Sequence, residues 1–292
     1  MGTRSVMQGI PAKQRSGFAR PKVSEARPST ADQPRSSGVV EGWLKGEVSG
    51  FQSYCLVVWQ ALTNMFVGRT FWGDLAIQAD SVGVGSLPIV LLTGMFTGGV
   101  LALQSASALA QFGALSQTPV LVTKSVVKEL GPVITALMVS GRNASGMASE
   151  LGSMRITDQI DAMRALGTDP FRKLVGPRIL ATTTMLFFLT ILSDAAGILG
   201  GAAVAVLLLH MDPSHYIHQS YQCIKYGDLT QGLVKPLFFG FILSSVGCAF
   251  GMNAAGGTRG VGLATTRAVV FSSVTIIVTD FLISRTMIWI YG

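Results

Sequence analysis

Lys128, Glu129, Arg142, Asp194 and Asp280 are ionisable side chains set within stretches that are otherwise apolar. At the centre of a bilayer an unpaired charge costs at least about 2.5 kcal/mol, so each must face a partner charge, a wet cavity or an ion path. Three kinds of chemistry follow: structural ion pairing, contact with a polar headgroup, and proton or ion relay. Lys128 and Glu129 are adjacent and project in different directions from a helix, so each meets its own neighbour or lines one side of a hollow. Pro132, just beyond them, loosens the helix at that point.

Other chemistry finds less support. No GxxxxGKS or GxxxxGKT string occurs, so the chain has no phosphate-cradling loop of that type. The run GGTRGVG, Gly256 to Gly262, follows an apolar helix where a dinucleotide fingerprint needs a strand, and it reads as a flexible turn. His210, Asp212, His215 and His218 are spaced so that one helical turn could bring two imidazoles together. Their segment, HMDPSHYIH, reads as a polar exit loop and not as a metal site. Ser, His and acid residues are too scattered to nominate a catalytic triad, and Cys55, Cys223 and Cys248 are isolated apolar fillers.

The elements that must position these charges are membrane helices. Of the 292 residues, 49% are hydrophobic and 13% charged, against about a quarter charged in an ordinary soluble domain. The 34 glycines suit helices whose backbones approach closely, and Gly94/Gly98, Gly197/Gly201 and Gly247/Gly251 recur at the four-residue spacing of packing seams. The net charge of +7 is concentrated in the first forty residues and two short loops, without the interleaved aromatics of a nucleic-acid surface.

The chain divides at about residue 46. Residues 1–46 are rich in Arg, Lys, Ser and Pro with no apolar period, and are expected to form a disordered basic tail. From Val48 to Phe66 the apolar residues fall on one helical face between Trp43, Trp59 and Trp72, which predicts an amphipathic helix, lying at the membrane interface or packed on the bundle. Five spans are then expected: Ser86–Ala110, Pro119–Ala148, Ile179–Leu209, Gly232–Met252 and Ala268–Ile290. The fold class is thus all-α and polytopic. Arg155, Arg164, Arg172, Lys173 and Arg178 follow span two, and Arg259 and Arg267 follow span four; this bias places them with the N-terminus in the cytoplasm.

Between spans two and three lies ELGSMRITDQIDAMRALGTDP, Glu150 to Pro170. Ile156, Ile160 and Met163 recur at helical spacing, Thr157 is the expected N-cap, and Gly167 with Asp169-Pro170 is the stop. A short helix with one apolar stripe and one charged face can dock into a groove on a soluble partner or lie solvated on the surface.

At these residues the chain resembles a known family. ELGPVITALMVSGR (Glu129–Arg142), SELGSMRITDQIDAMRALGTDP (Ser149–Pro170), GPRILA (Gly176–Ala181) and ATTRAVVFSS (Ala264–Ser273), with Asp280 beyond, closely resemble the MlaE/YrbE family of ABC transporter permeases. The likeness covers about Glu47 to Gly292, a single permease domain over residues 47–292. It implies a subunit that moves phospholipid or a related lipid between the inner (cytoplasmic) membrane and an MCE-domain protein. Its expected partners are a second copy of itself and a cytoplasmic ABC ATPase, which would carry all ATP hydrolysis; this chain itself would be no enzyme and need no cofactor.

The resemblance also carries residues. Leu101, Gln104, Leu109, Lys128, Glu129 and Leu130 would line a lipid cavity, and Glu150, Met154, Arg155, Asp158, Gln159 and Asp161 would contact the ATPase. Lys128 stands where Arg is common in the family, Asp158 where Glu is common, and Arg164 where an acid or neutral residue is common. Two rival readings are a secondary transporter using Asp194 or Asp280 as its ion site and an intramembrane lipid enzyme acting without a partner.

Overall fold

The computed structural model describes residues 72–291. The expected basic tail and the amphipathic helix at Val48–Phe66 lie outside the described residues. The described chain is a helical bundle. Its helices are α1 (Trp72–Ala110), α2 (Thr118–Ser125), α3 (Gly131–Val139), α4 (Ser145–Ile156), α5 (Gln159–Ala165), α6 (Gly176–Leu207), α7 (Pro213–Cys223), α8 (Tyr226–Met252) and α9 (Gly257–Tyr291).

Residues 118–156 are helical without a break, because wider π-type turns at Val126–Leu130 and Ser140–Ala144 join α2, α3 and α4. A third π-type turn, Phe171–Val175, leads into α6. Two of the three are followed by Gly-Pro, at Gly131-Pro132 and Gly176-Pro177. Proline lacks an N–H, and its ring crowds the carbonyl four residues back. Widening the turn, so that Gly131 N–H reaches the carbonyl of Val126 and Gly176 N–H that of Phe171, accommodates the ring while the helix continues.

Among the described residues four helical segments are long and apolar enough to cross a bilayer: Gly73–Ala110, Phe171–Leu207, Tyr226–Met252 and Gly257–Ile290. The expected second span, Pro119–Ala148, is not among them. Its helix is segmented by two π-type turns and carries Lys124, Lys128, Glu129 and Arg142, so length and apolarity alone give four crossings instead of five. Observed helices also begin earlier than their apolar cores. α1 has 39 residues, roughly 58 Å at 1.5 Å per residue against a hydrocarbon core of about 30 Å. It starts by Trp72 and not at Ser86, since Asp74, Gln78 and Asp80 make a helix polar without ending it. Likewise α9 starts at Gly257, so most of the run expected as a flexible turn is the first two turns of a helix; only Gly256 and Gly257 hold the left-handed φ of a turn, 92° and 68°.

The core runs the length of the bundle in three clusters. At the α5 end, Val82, Met147, Leu151, Ile160, Val175, Ile179, Cys248 and Met252 pack together. The middle is Val90, Ala136, Val139, Leu186, Leu189, Phe239, Leu243 and Ile276, and Ala102, Val122 and Val126 close the far end. The glycine seams lie where expected: a methyl group on Gly98 would collide with the carbonyl of Gly197, and one on Gly247 would lie 3.0 Å from the carbonyl of Ala144. Outward faces remain apolar, with Ile89, Leu92, Phe96, Val100, Val274, Ile277 and Phe281 all exposed, as a lipid-bathed surface requires.

Candidate functional site

Glu129 sits in the first π-type turn, and its carboxylate is held from two other helices. From α8, Gln231 Nε2 donates to it at 2.9 Å and Lys235 is ion-paired to it. From α9, Ser284 Oγ donates at 3.0 and 3.2 Å to its two oxygens. Lys235 Nζ also lies 2.7 Å from Asp280 Oδ1. Lys235 is fully buried, whereas the Glu129 side chain keeps 42% of its exposure. Beside this cluster Lys128 Nζ meets Asp228 Oδ1 at 2.9 Å. The adjacent pair therefore does what its geometry suggested, each member taking a different partner on α8.

Sequence reasoning singled out Glu129, Lys128 and Asp280 but missed Lys235, the residue that joins two of them. Its signal was present: a lone cation in GLVKPLFFG needs an acid, and two acids without assigned partners lay in other spans. Asp280 is therefore ion-paired, unlike the free acid that the rival transporter reading would use. Asp194 is buried on α6 with Oδ1 unpartnered, against Gly131.

Around the end of α1, Phe96, Thr97, Val100, Leu101, Gln104 and Leu130 line an open hollow of about 320 Å³. Three of the expected cavity residues, Leu101, Gln104 and Leu130, come together there. Lys128 and Glu129 stand next to Leu130 in sequence but point into the ion cluster, and Leu109 is half-buried near the end of α1, outside the hollow. Phe96 and Val100, which were not singled out, complete its wall.

At the opposite end of the bundle α4 turns sharply into α5. Asp158 occupies the N-cap position with a left-handed φ of 57°, and its carbonyl accepts from Ala162 N–H at 2.9 Å. Thr157, the expected cap, instead ends α4, its hydroxyl donating to the Ser153 carbonyl at 2.9 Å. Ile160 is fully buried and anchors the short helix. Asp161 is bracketed by two arginines, Arg155 Nη1 at 2.7 Å and Arg164 Nη1 at 3.2 Å. Asp158, Gln159 and Asp161 are exposed, Arg155 is half-exposed, and Met154 packs inward against the core. Leu166, 82% exposed at the end of α5, adds an apolar knob that the sequence reading did not single out.

Glu150 links this end to the bundle, with one oxygen 2.7 Å from Nη2 of Arg178 on α6. Arg178 also donates to the Leu174 carbonyl at 3.2 Å. Arg142 clasps α1, donating to the Ser81 carbonyl at 3.2 Å and to Ser86 Oγ at 2.9 Å. The charged groups thus tie helices together at both ends. The histidine segment does something simpler: Asp212 caps α7, accepting from the N–H groups of Ser214 and His215 and from the Ser214 hydroxyl. The Ser214 hydroxyl bond is the main reason its carboxyl lies below the usual aspartate range.

Known proteins are similar to this sequence. The family model described as Permease MlaE matches residues 75–286. A probable ABC transporter permease protein of Rickettsia conorii is 41% identical over 233 residues, 80% of this chain and 90% of that protein. One of Synechocystis is 34% identical over 245 residues, 84% of this chain and 92% of that protein. The chloroplastic protein trigalactosyldiacylglycerol 1 of Arabidopsis thaliana is 31% identical over 229 residues, 78% of this chain and 65% of its own length. Apolar helices able to cross a bilayer, a helix-tying charge network and this similarity over most of the described bundle agree: the chain is a multi-pass membrane protein belonging to the MlaE permease family.

Proposed function

We propose that this chain is the membrane subunit of an ABC transporter that moves phospholipid or a related lipid between the inner membrane and an MCE-domain protein. Two copies would stand on two cytoplasmic ATPase subunits. The observation that carries the reading is the short helix α5: its Ile160 is fixed in the core while Asp158, Gln159, Asp161 and Leu166 stay exposed, as a docking handle requires. The relatives' description as ABC transporter permeases supports an ATPase as the occupant. That the Arabidopsis relative carries the name of a galactolipid supports a lipid cargo.

On this reading the helical run 118–156 is a fifth crossing, polar because Lys128 and Glu129 are satisfied by α8 and α9, and Arg142 by α1, and not by lipid. The N-terminus and α5 then face the cytoplasm, in line with the basic residues on that side. The hollow at Leu101, Gln104 and Leu130 would open towards the second copy and hold the lipid. ATP-driven closure of the ATPases would push on α5, and the hollow would change shape without covalent chemistry in this chain. Reversing charge with Asp158→Lys and Asp161→Lys tests the handle. Expected are loss of ATPase co-purification and of lipid transport with the permease still folded; a variant that keeps both removes the docking assignment.

A further inference from the structure

At the end of the bundle away from α5, a second cavity of about 390 Å³ lies between the start of α8, the end of α9 and the α2 side of the helical run. Its charge is lopsided. Lys124, Lys128 and Lys225 line it against a single acid, Asp228. Asp228 is engaged by Lys128 at 2.9 Å, and it also closes the α8 cap by accepting from the backbone N–H of Lys225 at 3.2 Å. Among the described residues neither Lys124 nor the side chain of Lys225 forms an ion pair, so three ammonium groups share the cavity with one carboxylate, which Lys128 already engages.

Three features say what would neutralise them. Lys124 and Lys128 are one helical turn apart and project on the same side, so with Lys225 they present converging donors suited to several oxygens of one anion. Gly227 and Gln231, whose amide is turned to Glu129, complete the lining with two apolar side chains, Met287 and Ile288. Tyr226 and Trp289, next in sequence to the lining residues Lys225 and Ile288, are both largely exposed, and amphipathic rings of this kind settle at headgroup depth. A free inorganic anion uses the lysines but gains nothing from Met287 and Ile288. A lipid phosphate uses both.

We propose that this cavity receives the phosphate of a net-negative lipid headgroup, making the permease selective for anionic over zwitterionic phospholipid at this end of the bundle. The inference rests on the lipid-permease reading and narrows its cargo class. The excess of two positive charges is the reason for selectivity, because a zwitterionic headgroup brings its own cation into a site that already has too many.

Native mass spectrometry of the permease, purified with its companion subunits and delipidated in detergent, tests this. The probes are dimyristoylphosphatidylglycerol, dimyristoylphosphatidylcholine and inorganic phosphate. The expected result is preferential binding of the glycerol lipid, and a fall of roughly 10- to 30-fold in that preference for Lys124→Gln with Lys225→Gln, since each lysine near a membrane surface contributes a several-fold factor. Choline-lipid binding should be unchanged in the variant, which reports that it is folded; if the pair does not assemble, Lys225→Gln alone should show part of the fall. Equal binding of both lipids, or a preference that survives both lysine changes, overturns the anionic site while leaving a lipid permease standing. Binding of inorganic phosphate with neither lipid overturns both.

Discussion

Lys235→Met is the most informative single perturbation, because the methionine keeps most of the side-chain volume and removes only the charge that holds two acids. Removing one partner of a buried ion pair typically costs about 3–5 kcal/mol. Here the figure must be reduced. The Glu129 side chain is 42% exposed and keeps its bonds from Gln231 and Ser284, so other donors partly compensate this carboxylate, and Asp280 is only partly buried, at 20% exposed. A loss of about 2–3 kcal/mol remains. At roughly 2–4 °C per kcal/mol for a chain of this size class, the midpoint of thermal unfolding in detergent at neutral pH should fall by about 5–10 °C. Asp280→Asn in the Lys235→Met background should cost less than it does in the wild type, because the acid it removes has already lost its cation, giving a coupling of about 1–2 kcal/mol. A fall below about 2 °C together with strict additivity of the two changes would refute the network as a structural clamp.

Gly98→Val should lower the unfolding midpoint or abolish expression, since its side chain would meet the Gly197 backbone where α1 and α6 touch, and overpacking of this kind costs about 1–3 kcal/mol or more; Gly141→Ala, with open space around it, is the control expected to behave as wild type. The Asp212 cap predicts a pH dependence. Its carboxyl is held below the usual aspartate range by the Ser214 hydroxyl, so its contribution is present at and above neutral pH and is lost as pH falls through the folded-state value. Amide exchange at Ser214 and His215 should accordingly be slow at pH 7 and accelerate, after correction for intrinsic rates, in acid; Asp212→Ala should be fast at both, and a wild type indistinguishable from it at pH 7 would remove the cap.

The membrane class, the glycine seams and the short charged helix were legible from composition and spacing because each is local. What was not legible follows from distance along the chain. Glu129 reaches residues 102, 106 and 155 positions away, and nothing in its neighbourhood says which cation it will find. Arg178 was grouped with the loop arginines by its position, yet it is 4% exposed and paired with Glu150, so counting basic residues near span ends also counts structural ones. The helices begin before the expected spans because hydropathy detects the apolar part of a helix and α1 and α9 extend beyond it. The α4–α5 junction failed for a subtler reason. Thr157 is a good N-cap by type, but the turn requires one left-handed residue, and Asp158 tolerates that conformation better than a β-branched threonine does.

The two charged ends of the molecule share one element. From Glu129 to Glu150 the chain is a single uninterrupted helical run, roughly 30 Å at 1.5 Å per residue. One end is clamped to α8 and α9 through Lys235, Gln231 and Ser284, and the other to α6 through Arg178. On the proposed reading, a push on α5 enters this rod at Ile156 and reaches Leu130 on the wall of the hollow without passing through a loop. A rigid rod clamped at both ends would transmit nothing, so the compliance must come from within it. The π-type turns at Val126–Leu130 and Ser140–Ala144 are where the backbone ladder is already widened, one beside the clamp and one beside the Arg142 contacts to α1. Pro132 fixes the first of these by making an ordinary turn sterically unfavourable, which is why Gly-Pro follows it. Pro132→Ala should therefore let the run regularise and stabilise the folded bundle while slowing transport; a variant that transports at the wild-type rate would place the compliance elsewhere.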